Sequence, residues 1–289
     1  MATTGETLQA TAEEVIRKHE TKRTRLFYKD AFYKLLSLIS PFVLLAIWEI
    51  VVRTEILNPI FFPPPTEIFK TMIEMVQEPD AGGFLLQDHI AISLRRVILG
   101  FLLGTIPGLI LGLLIGWFRS VRAFFDPIIA ATYPIPKISL LPLMLVIFGF
   151  GETSKIVTVA IAGFFLVLIS TAAGVTQIDH VLIQAAENYG AKRSKLFTKV
   201  ILPATLPSIF TGLRLSLGIS LLIVVAAEFI NTNSGIGFLI WSSWQVLAVK
   251  KMYAGLIVIA ALGLFFTSGL ERIGRFLMPW AGDIQSRTK

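Results

Sequence analysis

The sequence predicts an all-α fold, a polytopic transmembrane bundle of about six helices, and three observations support this prediction. Hydrophobic residues make up 54% of the 289 residues, and the mean hydropathy is +0.74. Charged residues make up only 16%, whereas soluble domains carry about 25%. The apolar residues are gathered into segments of about 20 residues, the length that a helix needs to cross a bilayer. Lipid is therefore expected to surround most of this chain.

The chain is predicted to consist of three regions. Residues 1–34 are polar and basic, and they are too long and too charged for a signal peptide, so a cytoplasmic tail is expected. Residues 35–279 form the membrane domain, and residues 280–289 form a second cytoplasmic tail. Within the membrane domain the predicted spans are 35–52, 97–118, 128–150, 156–175, 209–229 and 254–270.

The segment after the first span contains a break in helical structure. Pro63, Pro64 and Pro65 exclude a helix interior. Thr66 then has the position of an N-cap for a short amphipathic helix that ends near Gln77. Acidic residues dominate this segment, which places it on the outer side of the membrane.

The second span carries a glycine at every fourth position. These residues are Gly100, Gly104, Gly108, Gly112 and Gly116. Residues at this spacing lie on one helix face, where the absence of side chains lets another helix approach closely. The five glycines therefore predict a helix-packing ridge.

Positive charge is distributed unequally between the two sides of the predicted bundle. If both termini lie on one side of six spans, that side carries seventeen Lys and Arg residues and the other side carries seven. Because basic residues accumulate in cytoplasmic loops, both termini are predicted to lie in the cytoplasm. The same bias accounts for the net charge of +7, and nucleic-acid binding is not expected.

The polar stretch after the fourth span predicts a helix–turn–helix. Asp179 can cap a short helix, Gly190 can end it in a left-handed turn, and a second helix can start near Ser194. Pro203 and Pro207 are expected to stop that second helix before the fifth span.

Two interpretations of this stretch follow from its residues alone. Ala185 and Ala186 provide a small-residue face able to enter a groove in another protein. An amphipathic helix that lies in the membrane interface fits equally well.

The stretch resembles the EAA loop of binding-protein-dependent ABC importer permeases. In that family Glu-Ala-Ala is separated by three residues from a Gly, and that Gly is separated by nine residues from Ile-x-Leu-Pro. The matching residues here are Gln184, Ala185, Ala186, Gly190, Val200, Leu202 and Pro203. Gln184 replaces the usual Glu, and Glu187 is one turn further on, where it could partly substitute.

Further motifs between Ile60 and Pro279 resemble the subfamily that imports nitrate, bicarbonate, taurine and aliphatic sulfonates. They are Pro64-Pro65-Thr66, Ser93-Leu94-Arg95-Arg96, Gly100-Phe101, Pro136-Lys137, Leu141-Pro142, Gly212-Leu213-Arg214, Ala227-Glu228 and Ser234-Gly235-Ile236-Gly237. Relatives with nearly the same motifs carry thiamine precursors, so these motifs do not select one substrate.

The resemblance implies a type I, MetI-like importer fold in the bacterial inner membrane and a division of labour among chains. The loop 179–203 is implied to dock on a separate ATP-binding subunit, which holds ATP and Mg²⁺. A periplasmic or lipid-anchored binding protein is implied to deliver substrate, and a second permease copy to complete a homodimer. This chain is then a transport subunit that contacts membrane lipid and binds no cofactor or metal of its own.

The residue inventory agrees with that division. The phosphate-binding pattern G-x-x-x-x-G-K-[ST] is missing from the sequence, so ATP hydrolysis is expected on the partner chain. Cysteine is absent and only three histidines are present, so neither a metal site nor a Cys nucleophile is expected. An enzyme is therefore not expected.

Charged residues within the spans are functional candidates, because a charge at the bilayer centre costs about 2.5–3.5 kcal/mol on insertion scales. Lys137 follows Pro134 and Pro136, so it is predicted either to face the translocation pathway or to mark an interfacial turn. Glu228, near the outer end of the fifth span, is the second pathway candidate.

Two rival functions predict different features. A secondary transporter should contain paired ionisable groups at mid-membrane and inverted repeats, and neither is clear in this sequence. A membrane enzyme should contain a cluster of His, Cys or carboxylate residues in its spans, and the sequence has no such cluster.

Overall fold

The computed structural model describes residues 33, 35–230 and 232–281, and the regular secondary structure in these ranges consists of helices. Most of the two predicted tails, 1–34 and 280–289, lies outside the described residues. The α-helices are α1 (Leu35–Arg53), α2 (Pro65–Gln77), α3 (Leu86–Trp117), α4 (Arg119–Thr132), α5 (Leu141–Phe148), α6 (Glu152–Thr176), α7 (His180–Asn188), α8 (Arg193–Leu196), α9 (Leu202–Glu228), α10 (Ile236–Gln245) and α11 (Val249–Leu277). Short 3₁₀ turns cover Lys137–Leu140 and Pro279–Ala281, and a π-helical segment covers Phe197–Ile201.

Five helical stretches in the described residues are long and apolar enough to cross a membrane. They are α1, α3, α6, the stretch Arg193–Glu228 and α11. A sixth candidate consists of α4 followed by Lys137–Phe148, two pieces that meet at a bend of 87°. Pro134 and Pro136 lie in that break, where they fix φ and remove backbone donors. The predicted all-α membrane fold is confirmed, with its third span broken in two.

The second span begins earlier than its hydropathy predicts. Helix α3 starts at Leu86, where the carboxylate of Asp88 accepts a hydrogen bond from the Leu85 N–H at 2.9 Å. Two of the added residues, His89 and Arg96, are polar yet buried. Their side chains have partners on other helices, described below, so the helix can continue through them.

The described residues fall into two compact units, divided between Glu67 and Ile68. In the first unit the carboxylate of Glu49 accepts hydrogen bonds from Arg53 Nε at 2.6 Å, from Thr66 Oγ1 at 2.8 Å and from the Thr66 N–H at 3.1 Å. The prediction that Thr66 is the N-cap of α2 is wrong, because Thr66 lies inside the helix. The helix starts at Pro65, two residues before the start that an N-cap at Thr66 implies, because proline suits the first helical position.

Three long helices, α3, α6 and α9, form the centre of the second unit. Val97 on α3, Val159 on α6 and Val224 on α9 belong to one buried apolar cluster. Because lipid supplies no hydrophobic force between helices, close packing must hold them together.

The glycine ridge of α3 lies against α6. A Cβ atom on Gly100 or Gly116 would overlap the side chain of a valine of α6, Val159 or Val175. At Gly104 the added atom would overlap the backbone of Ala160, which cannot move aside as a side chain can. Carbonyl oxygens of α6 lie similarly close to the two remaining glycines, Gly108 and Gly112. All five glycines therefore lie against α6, and at Gly104, Gly108 and Gly112 the close contact is with its backbone.

Candidate functional site

Helix α7 of the EAA-like loop has a defined start. Asp179 is its N-cap, and one carboxylate oxygen accepts a hydrogen bond from the Val181 N–H at 2.9 Å. Such a cap satisfies one of the backbone donors that a helix start leaves free.

The end of α7 is a left-handed turn. Gly190 has φ of +79°, a conformation that other residues adopt with strain. The Gly190 N–H donates to the Glu187 carbonyl at 2.8 Å, and the Ala191 N–H donates to the Ala186 carbonyl at 3.0 Å. This pair of bonds is a Schellman motif, which explains why a glycine is placed here.

The two faces of α7 have different surroundings. Ile183 and Ala186 pack on a buried cluster that contains Val175, Leu196 and Ile201. The outer face is exposed, and it contains Val181, Leu182, Gln184, Ala185, Glu187 and Tyr189. Tyr189 is 94% exposed. Of the two alanines in the motif, Ala186 therefore holds α7 in place and Ala185 faces outward.

The chain after α7 differs from the prediction. Pro203 and Pro207 do not stop the second helix, because Arg193–Glu228 is one continuous helical stretch. A π-helical segment precedes Pro203, and the Leu202 N–H bonds to the Phe197 carbonyl within it. Leu202 and Pro203 thus begin α9 and connect the loop directly to a membrane span.

Lys137 lies at the bend between α4 and α5. Its ammonium donates to the carbonyl of Thr132 at 2.8 Å and to that of Tyr133 at 3.2 Å, at the end of α4. It also lies 4.1 Å from the centre of the Phe165 ring, a cation–π contact. These contacts hold Lys137 in the turn between two helices, and both predicted interpretations, the translocation pathway and the interfacial turn, stay predictions.

Glu228 is fully buried at the end of α9. Its carboxylate accepts hydrogen bonds from Arg96 Nη1 at 2.7 Å, from Ser93 Oγ at 2.8 Å and from the Gly237 N–H at 2.8 Å. The Ser93 hydroxyl in turn accepts a bond from the Ile236 N–H at 2.8 Å. This arrangement ties α3 and α9 to the start of α10, and the pathway role predicted for Glu228 stays a prediction.

Arg96 joins Glu228 to a second carboxylate, on α6. Its Nε and Nη2 donate to the two oxygens of Glu152 at 2.8 and 2.6 Å, the fork geometry of a bidentate pair. Lys155, one turn further along α6, lies 3.7 Å from the same carboxylate. We call Ser93, Arg96, Glu152, Lys155 and Glu228 the charge network.

His89 forms a neighbouring polar contact. Its Nδ1 accepts a hydrogen bond from the Gly235 N–H at 3.0 Å, so the proton of the neutral ring lies on Nε2 and points to Asp80 Oδ2 at 3.1 Å. Burial opposes the ionisation of Asp80, but bonds from the Phe84 and Gly82 N–H groups and the contact with His89 lower its pKa overall.

Sequence reasoning identified only part of the charge network. It selected Glu228, but it did not assign Arg96, Glu152 or Lys155 to a site. Two motifs could have indicated the pair of Arg96 and Glu228, namely Ser93-Leu94-Arg95-Arg96 and Ala227-Glu228. A carboxylate in one span and an arginine in another enter the membrane at lower cost when they are paired.

Comparisons with known proteins agree on one family. Residues 108–279 match the family described as binding-protein-dependent transport system inner membrane component. The taurine transport system permease protein TauC of Escherichia coli K12 is 37% identical over 86% of this chain and 91% of that protein. The putative aliphatic sulfonates transport permease protein SsuC of Bacillus subtilis 168 is 33% identical over 96% of each chain.

A solved structure shares the fold. It is a chain of the methionine ABC transporter MetNI in an inward-facing conformation, with a TM-score of 0.56 and 19% sequence identity. The match covers 72% of this chain and 98% of that chain.

Proposed function

The chain belongs to the family of binding-protein-dependent transport system inner membrane components, and from that premise we propose that it is the membrane-spanning permease subunit of an ATP-driven importer for a small anion. The observation that carries the proposal is the EAA-like loop. It presents an exposed, capped helix that is anchored directly to a membrane span.

The loop supplies the contact with a separate ATP-binding subunit. Val181, Leu182 and Ala185 on α7 form an exposed apolar strip together with Tyr189, the residue that follows the helix. Exposed apolar strips of this kind mark protein–protein contacts. Helix α7 packs on Leu196 and Ile201, which belong to the continuous helical stretch Arg193–Glu228. A movement of α7 is therefore transmitted to the span that ends at Glu228.

The substrate is a small anion, and a sulfonate is the first candidate. Relatives of this chain are named for the transport of taurine and of aliphatic sulfonates. Nitrate, bicarbonate and thiamine-precursor substrates remain the alternatives within the family. Both termini lie in the cytoplasm of a bacterial cell, a second permease copy completes the pathway, and a binding protein delivers substrate from outside.

Co-purification with the ATP-binding subunit tests this function. Ala185→Asp places a charge on the exposed face of α7, and it is expected to abolish co-purification while the permease remains in the membrane. Gly190→Val is expected to do the same, because valine is strained at φ of +79°. Ser120→Asp, at an exposed position in α4 outside the EAA-like loop, is the matched control and should leave the complex intact. Retention of the ATPase by both loop variants would remove the proposal's basis.

A secondary transporter is the rival function. It would need no ATP-binding subunit, so wild-type protein that purifies without one and still transports down an ion gradient would favour it.

A further inference from the structure

Arg96 holds the carboxylate of Glu152 as it would hold a bound anion. Nε and Nη2 each donate to a different oxygen, at 2.8 and 2.6 Å. Sulfonate, nitrate and bicarbonate groups also present pairs of oxygens to such a fork. The Glu152 carboxylate therefore occupies the position that a small oxyanion would take.

Glu152 can leave this position. Its side chain is 45% exposed, whereas those of Arg96 and Lys155 are 2% and 3% exposed. Because almost half of the Glu152 side chain is exposed, rotation of that side chain can carry the carboxylate away from Arg96 into the open space without a change in the helix.

Lys155 has unused capacity to bind an anion. Its ammonium lies 3.5 Å from the Gly151 carbonyl and 3.7 Å from the Glu152 carboxylate. Charged N–H···O bonds are usually about 2.7–2.9 Å long. An ammonium group has three donors, so this buried cation retains donors for a closer ligand.

The local charge favours an anion once Glu152 has moved away. Two cations, Arg96 and Lys155, then face one carboxylate, that of Glu228, which stays buried and hydrogen-bonded. Helix α6 begins at this point without a side-chain cap, so its N-terminus adds partial positive charge. The vacated position is suited to a monoanion.

We propose that Arg96 and Lys155 form an anion subsite, which the Glu152 carboxylate occupies in this structure and a small sulfonate or oxyanion occupies when Glu152 swings into the open space. This proposal rests on the proposed function, and it adds the place where the permease recognises the negative group. With the termini in the cytoplasm, the subsite lies at the outer end of α3 and α6.

Thiol labelling of the purified full-length chain tests the subsite without any measurement of transport. The chain has no cysteine, so Glu152→Cys introduces a single thiol where the tethered carboxylate was. It should react about tenfold faster with anionic sulfonatoethyl methanethiosulfonate than with cationic trimethylammonioethyl methanethiosulfonate, after both rates are normalised to free cysteine. Methanesulfonate in excess should slow the reaction, and added Lys155→Met should remove the charge preference.

Glu78→Cys, an exposed position in the loop before α3, is the matched control and should show neither preference nor protection. If Glu152→Cys does not reach the membrane, Thr153→Cys replaces it, and added Glu152→Gln should raise its preference for the anionic reagent. Equal rates, a preference for the cation, or a preference that survives Lys155→Met would overturn the subsite. None of these results would affect association with the ATP-binding subunit. The permease function is therefore tested separately, by co-purification.

Discussion

At the scale of the residue, the contacts of the buried Arg96 predict a large contribution to stability. Arg96→Met leaves the fully buried carboxylate of Glu228 without its guanidinium partner. Removal of one member of a buried pair costs about 3–5 kcal/mol. We expect a large fall in the unfolding temperature of the detergent-solubilised variant.

The pair between Arg214 and Glu271 provides the control. These side chains are 52% and 40% exposed and lie 3.3 Å apart. Exposed pairs contribute about 0–1 kcal/mol, so Arg214→Met should change the unfolding temperature little. Equal effects of the two substitutions would show that the Arg96 contacts are not structural.

The lowered pKa of Asp80 predicts that the stability of the fold depends on pH. Its pKa in the folded chain is lowered, so the ionised carboxylate stabilises the fold above the ordinary value of 3.8. That contribution is lost as the pH falls through the lower folded value. Asp80→Asn should therefore unfold at a lower temperature than wild type at neutral pH, and the gap should narrow in acid. A gap that does not change with pH would contradict this role.

Residue patterns located some of these groups but not their contacts. Glu228 was found because a carboxylate in an apolar span is costly. Its partner Arg96 is 132 positions away in sequence, and Glu152 is 56 positions from Arg96. Helix packing sets such distances, so sequence spacing alone could not pair these residues.

At the scale of the element, the glycine ridge predicts which substitutions the α3–α6 contact tolerates. Gly104→Leu should prevent stable folding, because even its Cβ would overlap the backbone of Ala160. Gly269→Ala in α11 is the control, since its Cβ would meet nothing within 4 Å. Alanine is favoured over glycine in a helix by about 1 kcal/mol. The membrane yield and the unfolding temperature of the two variants are measured. A stably folded Gly104→Leu protein would contradict the packing of α3 on α6.

Helix boundaries were the least predictable feature of the elements. Hydropathy placed the start of the second span at residue 97, but α3 starts at Leu86 because buried partners satisfy its polar first turns. Pro203 was expected to end a helix, but the preceding π-helical segment lets the chain continue. In both cases hydrogen bonds or packing overrode a local sequence signal.

At the scale of the whole molecule, the distribution of basic residues predicts orientation. Asn233 and Ser194 are both exposed, Asn233 between α9 and α10 and Ser194 in α8. In intact cells an impermeant thiol reagent should label Asn233→Cys and leave Ser194→Cys unlabelled. The chain has no native cysteine to interfere. The opposite pattern would reverse the proposed orientation.

ATP-dependent uptake in proteoliposomes tests the importer assignment most directly. The permease is reconstituted with its ATP-binding subunit and binding protein. Accumulation of radiolabelled taurine or an alkanesulfonate is then measured with and without ATP on the side of the EAA-like loop. We expect uptake that requires ATP, competition by other small anions, and loss of uptake in Gly190→Val. Uptake that proceeds without the ATP-binding subunit and follows an ion gradient would contradict an ATP-driven importer.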